Sequence, residues 1–348
     1  MNYLLGFGMA LALAAALTPW VRRFALARGI VDRPTEARKI HTHEVAYLGG
    51  VAIFAAFGLT ALSLSLMSRQ LAALLLGCSV LVVIGVIDDV RGLTPRTKLL
   101  WQFVAAGIAL AGGIGITSIT NPLGGVVNLS WGRTAVALGP LHFHIMPIAN
   151  ALSLLWMVGL ANTINFLDGL DGLASGVSGI AAVIMFALSA GPHVHQPEVA
   201  LLAIIVAGAA FGFLPYNFYP ARIFMGDSGA YFLGLVLAML AIYSGAKLAT
   251  AALVLGVPIV DSIWAATRRM AHGTSPFRAD RQHFHHLLLD AGMTQRQAVL
   301  TLYVVVAAFG SVALMIGSFS KLMALFVLVG LMAVAIVGLL RRSLKRPV

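Results

Sequence analysis

Residues 71–89 read LAALLLGCSVLVVIGVIDD, seventeen uncharged residues closed by two adjacent carboxylates, Asp88 and Asp89. A helix rises about 1.5 Å per residue, so a run of this length approaches the roughly 30 Å of hydrocarbon in a bilayer. The pattern recurs about eleven times, at roughly 2–21, 46–67, 70–87, 99–119, 145–163, 172–190, 199–216, 229–244, 248–267, 298–317 and 321–340. Of the 348 residues 60% are hydrophobic and 10% charged, whereas soluble domains run near about 25% charged. The expectation is an all-α polytopic membrane protein, a single transmembrane domain over 1–348.

Charge then sets the topology. The chain has 23 Lys and Arg against 12 Asp and Glu, a formal net charge of +11. In a soluble protein that excess would point to nucleic acid; here it falls in short loops, so no nucleic-acid partner is expected. With the N-terminus outside, Arg22, Arg23, Arg28, Arg33, Arg38, Lys39, Arg91, Arg96, Lys98, Arg222, Arg268, Arg269, Arg278, Arg281, Arg296, Arg341, Arg342, Lys345 and Arg346 fall inside. Arg69, Arg133, Lys247 and Lys321 stay outside, a division of 19 against 4 that selects N-outside, C-inside. Asp32, Glu36, Glu44, Asp88, Asp89, Asp168, Asp171, Asp227, Asp280 and Asp290 then share the cytosolic side, so the chemistry is expected there.

The N-terminal run has its basic residues after it, the reverse of a cleavable signal, and reads as a first span. Cys78, the one cysteine, reads as a buried small hydrophobe. Ile116 to His144 reads as an extracytoplasmic connector, with a hairpin of Val126–Leu129 against Thr134–Leu138 as the structured alternative. There is no fixed-period repeat.

Four constellations could carry chemistry. Asp88 and Asp89 at the mouth of a span repel one another and need a cation, a basic partner or shared protonation. Asn162, Asn165, Asp168 and Asp171 are spaced by three, along one drifting helical face, and mix amide and carboxylate groups suited to a nucleotide beside a metal. Asp227 sits between Gly226 and Ser228-Gly229, where it reads either as a helix cap or as an oxygen ligand for Mg²⁺, an ion usually held by one or two carboxylates plus phosphate. Asn217, ten residues earlier and next to Tyr216, could meet the nucleotide. Arg278, Arg281, His283, His285 and His286 suit a pyrophosphate, with zinc as the lesser alternative. The histidines at 142, 144, 193, 195 and 272 read as solvated. Lys39, with His41 and His43, could meet a phosphate or uracil edge or merely mark topology. Asp261, inside the ninth span, needs a partner such as Arg268 if it is not catalytic.

In this order along nearly the whole chain, the Arg38-Lys39-His41 loop, Gly49-Gly50, Asp88-Asp89, Asn165/Asp168/Asp171, Gly226-Asp227-Ser228-Gly229 and His283/His285/His286 resemble the motifs of one family. It is that of the polyprenyl-phosphate N-acetylhexosamine-1-phosphate transferases of glycosyltransferase family 4, its WecA/TagO-like branch in particular, related to MraY. The resemblance implies Mg²⁺-dependent transfer (Mn²⁺ as a substitute) of GlcNAc-1-phosphate from UDP-GlcNAc to undecaprenyl phosphate, releasing UMP at the cytosolic face of the bacterial plasma membrane. UDP-GalNAc or UDP-MurNAc-pentapeptide would be the alternative donors. The product would begin an envelope polymer such as lipopolysaccharide or teichoic acid, and the enzyme would be a homodimer among membrane lipid. By the same resemblance Asp227 holds the metal, Asp88 activates the lipid phosphate, Asp89 supports the metal and phosphate region, and Asn165, Asp168, Asp171, Asn217 and Phe224 lie near the nucleotide. His283, His285 and His286 would meet phosphate. Direct attack by the lipid phosphate and an aspartyl-phosphate intermediate are both open. A CDP-alcohol phosphotransferase would need its carboxylates crowded into one motif, and a cation-coupled transporter would need them near the midplane, where only Asp261 lies.

Overall fold

A computed structural model describes residues 2–32, 44–64, 67–138, 141–245, 248–275 and 283–344. Lys39, His41, His43, Arg278 and Arg281 lie outside these described residues. Thirteen helices are described: α1 Tyr3–Ala27, α2 Gly49–Leu64, α3 Arg69–Arg91, α4 Pro95–Ala111, α5 Pro147–Leu167, α6 Leu173–Ala190, α7 Pro197–Asn217, α8 Gly226–Tyr243, α9 Leu248–Val254, α10 Gly256–Ala271, α11 Phe284–Asp290, α12 Gln295–Met315 and α13 Ser318–Leu344. Eight of them, α1, α3, α5, α6, α7, α8, α12 and α13, are long and apolar enough to cross a membrane. The all-α polytopic architecture expected from the apolar runs is present. The spans expected at 46–67 and 99–119 are the shorter α2 and α4, of 16 and 17 residues.

The ninth expected span, 248–267, is not one helix. It breaks at Leu255 into α9 and α10, bent by 79°. Pro258 carries no N–H for the carbonyl of Val254 four residues back, and its ring crowds that turn, so a continuous apolar run still cannot stay straight. The carbonyl of Leu255 restarts the ladder by accepting from Ile259 N–H at 2.9 Å.

Besides a two-residue antiparallel pairing of β1 (Val31–Asp32) with β2 (Val45–Ala46), there are two antiparallel hairpins in the connector between α4 and α5: β3 (Ser118–Thr120) with β4 (Val126–Asn128), and β5 (Thr134–Leu138) with β6 (Leu141–Ile145). The alternative hairpin of 126–129 against 134–138 is therefore incorrect. The turn at Asn121 to Gly125, with Gly124 at φ 121° and Gly125 at φ 79°, folds β4 back onto β3 instead.

α8 is the axis of the molecule: 89% of its spanning window is enclosed by protein, against 22% for α1 and 17% for α13. α2, α3, α5 and α6 pack around it. Its first turn is gripped by small residues. A Cβ at Gly50 of α2 would collide with the backbone of Ser228 and Gly229, and one at Gly85 of α3 would collide with that of Asp227 and Ser228. Close backbone approach of this kind is how membrane helices associate where no hydrophobic gradient drives them together.

Candidate active site

The helix ends carrying the carboxylates converge at one end of the bundle. α3 delivers Asp88 and Asp89 in its last turn, α4 delivers Lys98 in its first, α5 carries Asn165 in its last turn, and α8 begins with Gly226-Asp227-Ser228. Lys98 Nζ donates to Asp88 Oδ2 at 3.1 Å and to Asp227 Oδ2 at 2.9 Å. Asp88 Oδ1 accepts from Leu93 N–H at 2.6 Å, and Asp227 Oδ1 accepts from Asn165 Nδ2 at 2.8 Å. Lys98 thus supplies the cation that two converging carboxylates require.

Asp89 faces the other way. Its Oδ1 accepts from Asp227 N–H at 2.8 Å and its Oδ2 from the Ser228 hydroxyl at 3.0 Å. It caps α8 from outside, doing what Met225, the residue at the cap position, cannot. Asp227, the second residue of α8, is consequently not the cap; its carboxylate is left for Lys98 and Asn165. Gly226 at φ 72° allows the chain to enter α8 with the Asp89 carboxylate lying against it.

The segment that feeds α8 is tied down residue by residue. Phe224 N–H donates to Ala46 O, and Gly49 and Gly50 N–H donate to Phe224 O and Met225 O. Asn217, buried, accepts from the Ser175 hydroxyl at 2.9 Å and donates to Ile223 O at 3.1 Å. Asp171 Oδ2 accepts from Ala221 N–H at 2.9 Å. Arg22 and Arg296 donate to the carbonyls of Arg222 and Tyr219. Asn217 and Asp171, expected at the nucleotide, are here engaged in shaping the 217–225 loop, while Phe224 lies 5.9 Å from the Tyr47 ring. Asn162 pairs reciprocally with Gln102 of α4, forming a seam between α4 and α5.

Asp168 follows α5, half-buried beside the cluster. Desolvation, and then the charges of Asp227, Asp89 and Asp171, push its carboxyl up to about 8. The histidine segment meets the site from the far side. His283 is held by Asp261 and Arg269 of α10, so the partner seen for Asp261 is His283 where Arg268 was expected. His285 lies against Gly169, where a Cβ would collide with its ring. Its basicity is depressed by burial and by the neighbouring His286 and His283.

Of the expected site residues, Asp88, Asp89, Asn165 and Asp227 come together; Asp168 borders them; Asp171 and Asn217 support them from behind; and His283, His285 and His286 pack on the α5 end. Lys98, Gln102, Ser228 and Arg269 had no expected site role. A signal for Lys98 existed: Asp88-Asp89 demanded a cation, and Lys98 follows ten residues later at the start of the next helix. The donor set also suits a hard divalent ion. Asp88 and Asp227 each present an oxygen toward one ammonium. Mg²⁺, which asks for only one or two carboxylates and draws its remaining ligands from phosphate and water, fits that arrangement. His283 does not offer a metal a lone pair, since both ring nitrogens are engaged.

Residues 71–245, which contain the whole carboxylate cluster, match the sequence profile described as glycosyl transferase family 4. A probable undecaprenyl-phosphate N-acetylglucosaminyl 1-phosphate transferase of Bacillus subtilis is 31% identical, over 92% of this chain and 87% of its own length. A decaprenyl-phosphate N-acetylglucosaminephosphotransferase of Mycolicibacterium smegmatis is 32% identical over 94% and 86%. An undecaprenyl-phosphate alpha-N-acetylglucosaminyl 1-phosphate transferase of Salmonella typhi is 26% identical over 84% and 77%. With the helical membrane architecture and a site inside the matched segment, the chain belongs to glycosyl transferase family 4, as a membrane-embedded transferase.

Proposed function

We propose that this transferase moves GlcNAc-1-phosphate from UDP-GlcNAc to undecaprenyl phosphate, giving undecaprenyl-pyrophosphoryl-GlcNAc and UMP. The observation that carries the reading is the Asp88–Lys98–Asp227 arrangement at one end of the bundle, within the matched segment of relatives named for polyprenyl-phosphate GlcNAc-1-phosphate transfer. An oxygen of the lipid phosphate attacks the sugar-bearing phosphorus of the donor, the bond to UMP breaks, and UMP departs with the electron pair. Asp88 takes the proton of the lipid phosphate. Leu93 N–H and Lys98 hold its two oxygens in place. Lys98 offsets negative charge between the two carboxylates, and Asn165 orients Asp227. Mg²⁺ would be held by Asp227 with donor phosphate oxygens, where it would offset the charge that two reacting phosphates bring together. The excess of basic residues in the loops at this end supports a cytosolic orientation, the side of a bacterial plasma membrane on which a UDP-sugar is available, and with it a role at the first membrane step of an envelope polysaccharide.

The test is UMP release by the purified protein in detergent with UDP-GlcNAc, Mg²⁺ and undecaprenyl phosphate. UMP is expected to appear in step with lipid-linked sugar and to vanish without the lipid. Turnover only with UDP-GalNAc or UDP-MurNAc-pentapeptide would change the donor, and no UMP from any UDP-sugar would end the proposal.

A further inference from the structure

Asp261 and Arg269 lie on the buried stripe of α10 that also carries Val257 and Ala265, each four residues from the next. A carboxylate this deep in an apolar run is costly unless every lone pair it presents is used. Asp261 Oδ1 accepts from Phe284 N–H at 2.8 Å, and Asp261 Oδ2 lies 2.9 Å from His283 Nδ1. On the ring's other side, the Arg269 guanidinium lies 3.1 Å from Nε2. A guanidinium has donors only. Nε2 must therefore be the bare, accepting nitrogen, and the proton sits on Nδ1, pointing at Asp261. A ring protonated on both nitrogens would set an N–H against the Arg269 donors.

The trio also reaches the catalytic end of the molecule. The Phe166 ring lies 5.8 Å from the His283 ring and 5.8 Å from Arg269 Cζ. His285 stacks on His283 with centroids 5.7 Å apart and planes 7° apart, and its buried Nε2 has no hydrogen-bond partner among the described residues where it abuts Gly169. Phe166 and Gly169 flank the stretch from Asn165 to Asp168, and Asn165 holds Asp227.

We infer that, in the transferase proposed above, Asp261 and Arg269 hold His283 as its neutral Nδ1–H tautomer, and that the three are positioning residues seating α11 against the end of α5. His283 is then not a proton donor or a phosphate ligand. Its lone pair is committed to Arg269.

Two readouts test this. In protein labelled with ¹⁵N-histidine, with His283→Gln assigning the signal, His283 is expected to show a protonated Nδ1 and a bare Nε2. A ring protonated on Nε2, or on both nitrogens, overturns the inference, and this reading needs no activity at all. A wild type inactive with every UDP-sugar would remove the proposed function and leave the tautomer result standing. In the UMP assay, His283→Gln keeps an acceptor for Arg269 through its Oε1 and is expected to turn over at least about tenfold faster than His283→Ala. Asp261→Asn, which cannot accept from both Phe284 and His283, is expected to lower kcat by about 10- to 100-fold, the usual cost of losing an outer-shell partner. The KM for UDP-GlcNAc should move less than about threefold, since a positioning defect falls on the transition state. Gln and Ala variants equally inactive, both monodisperse and folded, would show that the imidazole itself is required. Where a variant fails to fold, the nitrogen spectrum of the wild type decides.

Discussion

Asp88 and Asp227 reach Lys98 from two different helices, with side chains only 13% and 22% exposed, so water screens their charges poorly. Replacing Lys98 by methionine keeps the stem and deletes the ammonium. Turnover is expected to fall about 100-fold, in the range for removing one electrostatic stabiliser. The melting temperature in EDTA should also fall, and Mg²⁺ should restore part of that loss by neutralising the same oxygens, which a thermal-shift titration measures. Asp168 gives a second test, with a definite sign. An unfolded aspartate releases its proton near about 3.9, whereas in the fold it keeps it to about 8. Between these values the folded state binds more protons, so its stability falls as pH rises from about 4 to 8 and levels off above. Asp168→Asn is expected to flatten that slope when melting is followed across the range in EDTA. The sequence singled out Asp88, Asp168 and Asp227, because carboxylates are scarce in so apolar a chain, and the fold brings Asp88 and Asp227 onto Lys98 with Asp168 beside them. It did not show that Asp89 is a cap or that Asp171 and Asn217 face inward. Those roles depend on backbone groups 50 to 140 positions away, or on hydroxyl and carbonyl partners that no local spacing encodes.

Among the elements, α8 depends on its neighbours' glycines. Gly85→Ala adds one methyl against the backbone of Asp227 and Ser228. Overpacking of this kind costs about 1–3 kcal/mol and shifts backbone, and here the backbone that moves carries Asp227. Activity is expected to drop about tenfold or more while Asp88 and Asp89 are unchanged. Gly107→Ala, on α4 with nothing within reach of the added methyl, is the control and should leave UMP release as it is. Helices of this sort are legible from length and apolarity, but the break at Leu255 is not, although Gly256 and Pro258 stand in the sequence. A hydropathy run counts residues and is blind to a missing N–H. The pairing of the strands was not legible for a related reason: alternation marks strands, while the Gly124-Gly125 turn decides which strand meets which.

For the whole molecule, the basic residues predict that the carboxylate end faces the cytosol. With Cys78 replaced by alanine, Trp131→Cys, on the connector between the two hairpins at the opposite end and 79% exposed, is expected to react with a membrane-impermeant maleimide in intact cells. Asp290→Cys should react only after permeabilisation, and the reverse pattern would invert the topology. The enclosure of α8 bears also on how the protein is made. Asp89 leaves the ribosome more than a hundred residues before Asp227 and Ser228, and α3 enters the bilayer with a carboxylate whose partners have not been synthesised. The slot lined by Gly50 and Gly85 stays open through the insertion of α4, α5, α6 and α7. A nascent chain halted before residue 226 is therefore a bundle without its axis, and delivery of α8 is the event that turns an inserted polypeptide into a finished one.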